Sequence, residues 1–176
     1  MNLLESLFHA VREPKSALHA GEAFSLWTYD VALQEVHALG QLMLNHTADR
    51  ELTDFIENLI TDLGQAQEAE LHKLMRNEGI EFPALTAQKP LANSTDLPAG
   101  ARFTETEIAN LLVVKVQGLL ILAHGALLQS IRNDMGAMWY RYHSGLLVHS
   151  FKLKQLMERR GWLRHPPLFR PSPAPH

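Results

Sequence analysis

The sequence predicts an all-α fold of two antiparallel helical hairpins joined by a long crossover connection. Three observations predict it. Two long amphipathic runs, roughly 19–46 and 49–78, are separated only by the polar turn Asn45-His46-Thr47. A proline-bearing stretch of about 25 residues without periodicity follows, from Ile80 to Phe103. Two more long runs, roughly 104–133 and 136–160, are again tightly joined. Hairpin, long connection, hairpin is the pattern of a four-helix ferritin-like bundle.

Taken in order, residues 3–12 predict a short N-terminal helix with Leu3, Leu4, Leu7, Phe8 and Val11 on one face, ended by Pro14. In the first long run Ala20, Phe24, Trp27, Val31, Ala38 and Leu42 recur at steps of three and four, a helical stripe interrupted by Gln34. Ala23, Leu26, Leu33 and Leu44 widen it to the breadth of a core-facing surface. The second run repeats the pattern with Leu52, Ile56, Leu59, Leu63 and Ala66, then Leu71, Leu74 and Met75. Asp49 or Thr47 supplies its N-cap and Gly79 its stop.

The connection carries three prolines and a glycine. Fully extended it reaches about 80 Å, against about 42 Å for a helix of about 28 residues. It can therefore run the length of the bundle and start the third helix at the opposite end, making the second and third helices parallel. Thr104 to Glu107 reads as a capping box that opens the third helix. Ile108, Leu111, Leu112, Val116, Leu119, Leu122 and Leu127 then cover nearly every face of it. A helix apolar all round is buried on more than one side, which predicts a homodimer interface here, unless the connection and leading helix cover it. Gly136 marks the break before the fourth helix, which carries Trp139, Tyr142, Leu146, Leu153 and Leu156 and ends at Gly161. The tail from Trp162 has five prolines and cannot be helical. Trp162-Leu163 and Leu168-Phe169 are expected to pack back. Residues 1–170 thus form one domain, and 171–176 a disordered tail.

Composition narrows the function classes. Of the 176 residues, 46% are hydrophobic and 20% charged, as in ordinary globular domains. A net charge of −3 gives no footprint for nucleic acid. Cysteine is absent, which excludes disulfides, thiolate metal sites and thiol catalysis and fits a cytoplasmic location. The N-terminus lacks the features of a signal peptide. The apolar run Leu111 to Leu128 is short and interrupted by Lys115, Gln117 and His124, so no membrane span is expected.

Several blocks carry a family resemblance: GEAFSLWTYDVA, LNHTADREL, GARFTETEIANLL, SIRNDMGAMW and ERRGWLRHPPLF. Together they resemble an uncharacterised bacterial family of spore-forming Firmicutes, a domain of unknown function. The resemblance runs from about residue 20 to 170, nearly the whole chain. It implies a ferritin-like fold, in single or tandem bundles, and no activity. Spore-coat proteins of similar bundle type are more distantly similar.

Ferritin-like bundles with two metals draw one Glu from each of two helices and a Glu-x-x-His from each of the others. This sequence has no Glu-x-x-His; the nearest match is Glu68-Ala-Glu-Leu-His72, with spacing four. A weaker constellation is predicted near one end of the bundle. There Glu22 or Asp30, Glu70, His124 and His143 come to similar height, a donor set suited to Zn, Mn or Fe. His46 is expected to cap carbonyls at the first turn. Arg132 and Asp134 are expected to fix the second by an ion pair. No phosphate loop or serine nucleophile motif is present. The favoured reading is a non-enzymatic binding or interaction protein, with a protein partner and a link to sporulation or stress. The alternative is a metal-binding bundle, or a metal-dependent enzyme.

Overall fold

The computed structural model describes residues 16–84, 87 and 89–169, and every regular element among them is helical. α1 spans Ala20–His46 and α2 spans Arg50–Thr61. α2 runs without a break through a π-helical segment, Asp62–Glu68, into α3, Ala69–Glu78. Two short 3-10 turns, Ser94–Asp96 and Ala99–Ala101, lie in the connection. α4 spans Glu105–Gln129 and α5 spans Asn133–Arg160. The expected helix over 3–12 and the tail 171–176 lie outside the described residues.

Local chemistry sets the helix ends. Asp49 accepts the Leu52 N–H at 2.9 Å and caps α2, while Thr47 Oγ1 accepts the Asp49 N–H. Thr104 and Glu107 form the expected capping box on α4. Gly79 and Gly161 stop α3 and α5 at φ of 71° and 70°, left-handed positions that disfavour a side chain. The cap of α1 was not legible as one. It is His19, whose Nδ1 accepts the N–H groups of Gly21 and Glu22 at 3.0 and 3.3 Å. The ring proton is thereby placed on Nε2, 3.1 Å from the Gln129 carbonyl.

Two contact sets fix the topology. At one end, Glu22 meets the N–H groups of Ile131 and Arg132, and Arg132 reaches Glu78 at 2.7 Å. At the other, His46 Nδ1 accepts the Phe103 N–H, and Arg159 and Arg160 meet Glu51. α1 packs on the α2–α3 rod and on α4, and α5 packs on α4 and α2. Each neighbouring pair is antiparallel, and the rod and α4 run parallel, as the length of the connection predicts. That connection is pinned midway, where Asn45 donates to the Pro90 carbonyl and accepts the Ala92 N–H.

One cluster of buried apolar side chains runs through all five helices. Tyr29 and Trp139 meet edge to face at 5.1 Å, and Tyr29 stacks on Tyr142 at 5.7 Å. The π segment keeps the rod in register with this core. From Leu52 to Met75 an uninterrupted α-helix would turn about 6.4 times, leaving the two on nearly opposite sides. The wider π turn takes up the excess, and both are fully buried.

Four expectations need correction. The stripe through Phe24 and Trp27 does not face the core: these side chains are 68% and 39% exposed. The buried set is Leu26, Tyr29, Leu33, Val36 and Met43, which has the same period but is rotated around the helix. The second turn falls at Ser130 to Arg132, not at Gly136, because the Glu22 carboxylate holds the N–H groups there and no glycine is needed. Among the described residues His46 caps no carbonyl; it receives the end of the connection, with its ring 5.1 Å from Phe103. In the tail, Trp162 and Leu163 pack on the core, but Leu168 and Phe169 are exposed.

Candidate functional site

α1 carries a line of polar residues, Asp30, Gln34, His37 and Gln41, at helical steps of four, three and four. Asp30 is 0% exposed. Its Oδ1 lies 2.8 Å from His72 Nε2, across the interface with α3. Glu68, the last residue of the π segment, brings Oε1 to 3.9 Å from the same nitrogen, and Oε2 to 3.5 Å from His37 Nδ1. One ligand atom from each of Asp30, Glu68 and His72 lies within 4.8 Å of the others, and among the described residues no other three His or acidic side chains converge in this way. The buried Asp30 Oδ2 and His37 Nε2 have no hydrogen-bond partner among the described residues. Phe82, from the connection, lies edge-on to the His72 ring at 4.8 Å and is itself covered by the Arg76 guanidinium.

The π segment supplies Glu68 to this cluster and is itself held through Gln67. Tyr142 donates to the Gln67 backbone carbonyl at 3.0 Å, and Tyr29 to the Gln67 side-chain carbonyl at 2.8 Å. Burial pushes both phenols far above their usual range, so they keep the protons they donate. At the start of the segment Asp62 lies 3.1 Å from His149 Nε2. Burial pushes the His149 imidazole below its ordinary pKa, against the pull of Asp62.

The residues predicted to share a site, Glu22 or Asp30 with Glu70, His124 and His143, do not converge as a set; of them only His124 and His143 come face to face. Glu22 is occupied by the backbone of the second turn. Burial raises its pKa, but the N–H groups of Arg132, His19 and Ile131 and the nearby His19 together outweigh this and hold it below the ordinary value. Asp30 belongs to the His72 cluster. Glu70 pairs with Arg141 at 2.5 Å and accepts from Tyr142 at 3.2 Å, in a surface groove of about 340 Å³ that includes Lys73 and Asn77. His124 and His143 face each other with ring centroids 5.3 Å apart, His124 exposed on α4. His37 was missed altogether. The Glu68–His72 signal was visible but had the wrong spacing for the expected motif. Arg132 and Asp134 do form the anticipated ion pair, through two bonds of 2.9 and 2.8 Å, with the guanidinium buried.

The outer face of α4 is the second candidate surface. Val114, Ile121 and Leu128, seven residues apart, are 64%, 72% and 74% exposed. Gly118 and Gly125 lie between them, and a Cβ on either would meet no atom within 4 Å. By length and composition α4 is apolar enough to cross a membrane, yet only 28% of its most apolar stretch is buried within the chain.

A family model described as Protein of unknown function (DUF3231) matches residues 8–173. The chain is 28% identical over 151 residues to the uncharacterized protein YvdQ of Bacillus subtilis strain 168, a match that covers 86% of this chain and 88% of that one. A crystal structure from Bacillus halodurans C-125, of a protein described provisionally as a spore coat protein, superposes with a TM-score of 0.84 at 31% identity. That match covers 89% of this chain and 98% of the other.

Proposed function

The chain belongs to the family described as Protein of unknown function (DUF3231), and on that footing we propose that it is a non-enzymatic interaction protein: a ferritin-like four-helix bundle that pairs with a second copy of itself through the outer face of α4, in the cytoplasm of a cell entering sporulation or stress. The bundle reading is supported by the four antiparallel contacts and by the lengthwise connection between the hairpins. The sporulation link is supported by the likeness to the Bacillus halodurans structure, whose protein is described provisionally as a spore coat protein.

The observation that carries the pairing is the seven-residue repeat of Val114, Ile121 and Leu128 on a surface exposed among the described residues. Apolar residues repeating at that interval form a seam that a second helix packs against. Gly118 and Gly125 sit beside the seam. A mid-helix glycine costs about 0.5–1 kcal/mol relative to alanine, and among the described residues no neighbouring element comes close enough to call for one here. A partner helix approaching closely would use the space. A copy of the same face is self-complementary about a two-fold axis, the commonest way in which soluble chains associate.

Sedimentation velocity on the full chain at micromolar concentration tests this. The expected result is a dimer that Ile121→Lys converts to a monomer of unchanged helicity. A central seam residue of this kind is worth about 2 kcal/mol or more per interface. A wild type that stays monomeric, or an Ile121→Lys chain that still pairs, overturns the reading. So would partition of the protein into lipid vesicles in place of self-association.

A further inference from the structure

We propose that Asp30, Glu68 and His72 bind one divalent first-row metal ion, with Zn²⁺ preferred over Mn²⁺, and that His37 positions Glu68 for it. This goes beyond the pairing of bundles and does not depend on it.

The donor set comes first. One imidazole nitrogen and two carboxylate oxygens suit zinc or manganese. Two carboxylates balance the charge of a divalent ion, leaving the neutral imidazole as third ligand. Geometry comes second. Zinc bonds of the usual length place tetrahedral ligand atoms about 3.4 Å apart. The separations from His72 Nε2, 2.8 Å to Asp30 and 3.9 Å to Glu68, bracket that value. All three ligand atoms lie within 4.8 Å of one another, so side-chain rotation closes the set on one ion. Burial comes third. Asp30 is wholly enclosed, yet its Oδ2 lacks a hydrogen bond. A buried carboxylate oxygen without a partner is costly unless a cation or donor completes it. Glu68 and His72 keep 25% and 22% of their side-chain surface exposed, so an ion can enter from one side and a water can hold the fourth position.

The donors all come from the first hairpin: Asp30 from α1, Glu68 from the π segment, and His72 from α3. The site therefore differs from a two-metal bundle centre, which draws on all four helices. π turns recur where a helix re-aims side chains for function. Here Glu68 closes the π segment and His72 follows one turn later, both facing Asp30. On metal binding the Nε2 lone pair of His72 goes to the ion. With Nε2 on the ion, the ring proton sits on Nδ1. His37, 3.5 Å from the other Glu68 oxygen, fixes the carboxylate from behind.

The test is calorimetric titration of the full, untagged, metal-stripped chain with ZnCl₂ and then MnCl₂, with His72→Gln, Glu68→Gln and the pair His124→Gln/His143→Gln in parallel. Both substituted ligands are partly exposed, and far-UV circular dichroism checks that each variant folds. The expected result is one equivalent of Zn²⁺ per chain, about tenfold or more weaker in His72→Gln and in Glu68→Gln, and unchanged in the His124/His143 variant. No binding to the wild type overturns the proposal. So does binding that both ligand variants retain. Loss of binding in the His124/His143 variant would assign the ion to the His124–His143 pair and overturn it equally.

Discussion

Glu22 shows how far a single carboxylate can act from its own helix. Its oxygens accept the His19 N–H at 3.2 Å and the N–H groups of Ile131 and Arg132 at 2.9 Å each, so one side chain caps α1 and braces the turn between α4 and α5. These donors favour the ionised form, and the folded pKa lies below the ordinary value of 4.5. The stabilisation is therefore fully present above about pH 4.5 and is lost as the pH falls through the folded pKa. Glu22→Gln is expected to lower the unfolding free energy by about 1–3 kcal/mol near neutral pH, and the gap to the wild type should close on acidification. Urea unfolding from pH 7 to pH 3 measures it; a gap that does not vary with pH would show that the charge is irrelevant. In the sequence Glu22 stands out only as a carboxylate early in the first long run. The sequence could not reveal that the partners are backbone groups more than a hundred residues away, so the carboxylate read as a metal ligand. Asp30, the alternative to Glu22 in that expected set, does meet a histidine, but it is His72 and neither His124 nor His143. An acid among Leu26, Tyr29 and Leu33 must find a cationic or donating partner wherever the helix points.

Helices were legible in proportion to the chemistry at their ends. Asp49, Thr104 with Glu107, Gly79 and Gly161 act locally, and the structure keeps each in its expected role. Rotation about the axis was not legible. α1 has apolar residues on two sides, and only contact with the rod decides that Leu26 is buried and Phe24 is not. The π segment was hidden too, since the apolar steps on either side of it look regular. Two glycines show what local conformation decides. A Cβ would meet nothing within 4 Å at Gly161 or at Gly118, but Gly161 has a φ of 70° and Gly118 lies inside α4. Gly161→Ala is expected to cost about 1 kcal/mol and lower Tm by about 2–4 °C. Gly118→Ala should stabilise the dilute chain by about 0.5–1 kcal/mol. Thermal unfolding followed at 222 nm separates the two; shifts of the same sign would contradict the argument.

At the scale of the molecule, one end is fastened by a single guanidinium. Arg132 bonds Asp134 at the start of α5, Glu78 at the end of α3, and the Ser16 carbonyl ahead of α1, with its side chain 4% exposed. The surrounding acids hold its pKa above even the usual arginine range. Arg132→Ala leaves two carboxylates without their buried partner and is expected to cost about 3–5 kcal/mol, read as a lower urea midpoint. A loss within about 0.5 kcal/mol, typical of an exposed substitution, would refute this. The connection Ile80 to Phe103 has a consequence of another kind, for the order of assembly. Each hairpin closes through a turn of only a few residues, so its contacts are local and form early. Bringing the two hairpins together means closing the one long loop, which makes docking the late step. The entropy of closing a loop grows only with the logarithm of its length. Residues could thus be added to that segment, away from the Asn45 anchor, at little cost to the folded state, with docking slowed only slightly.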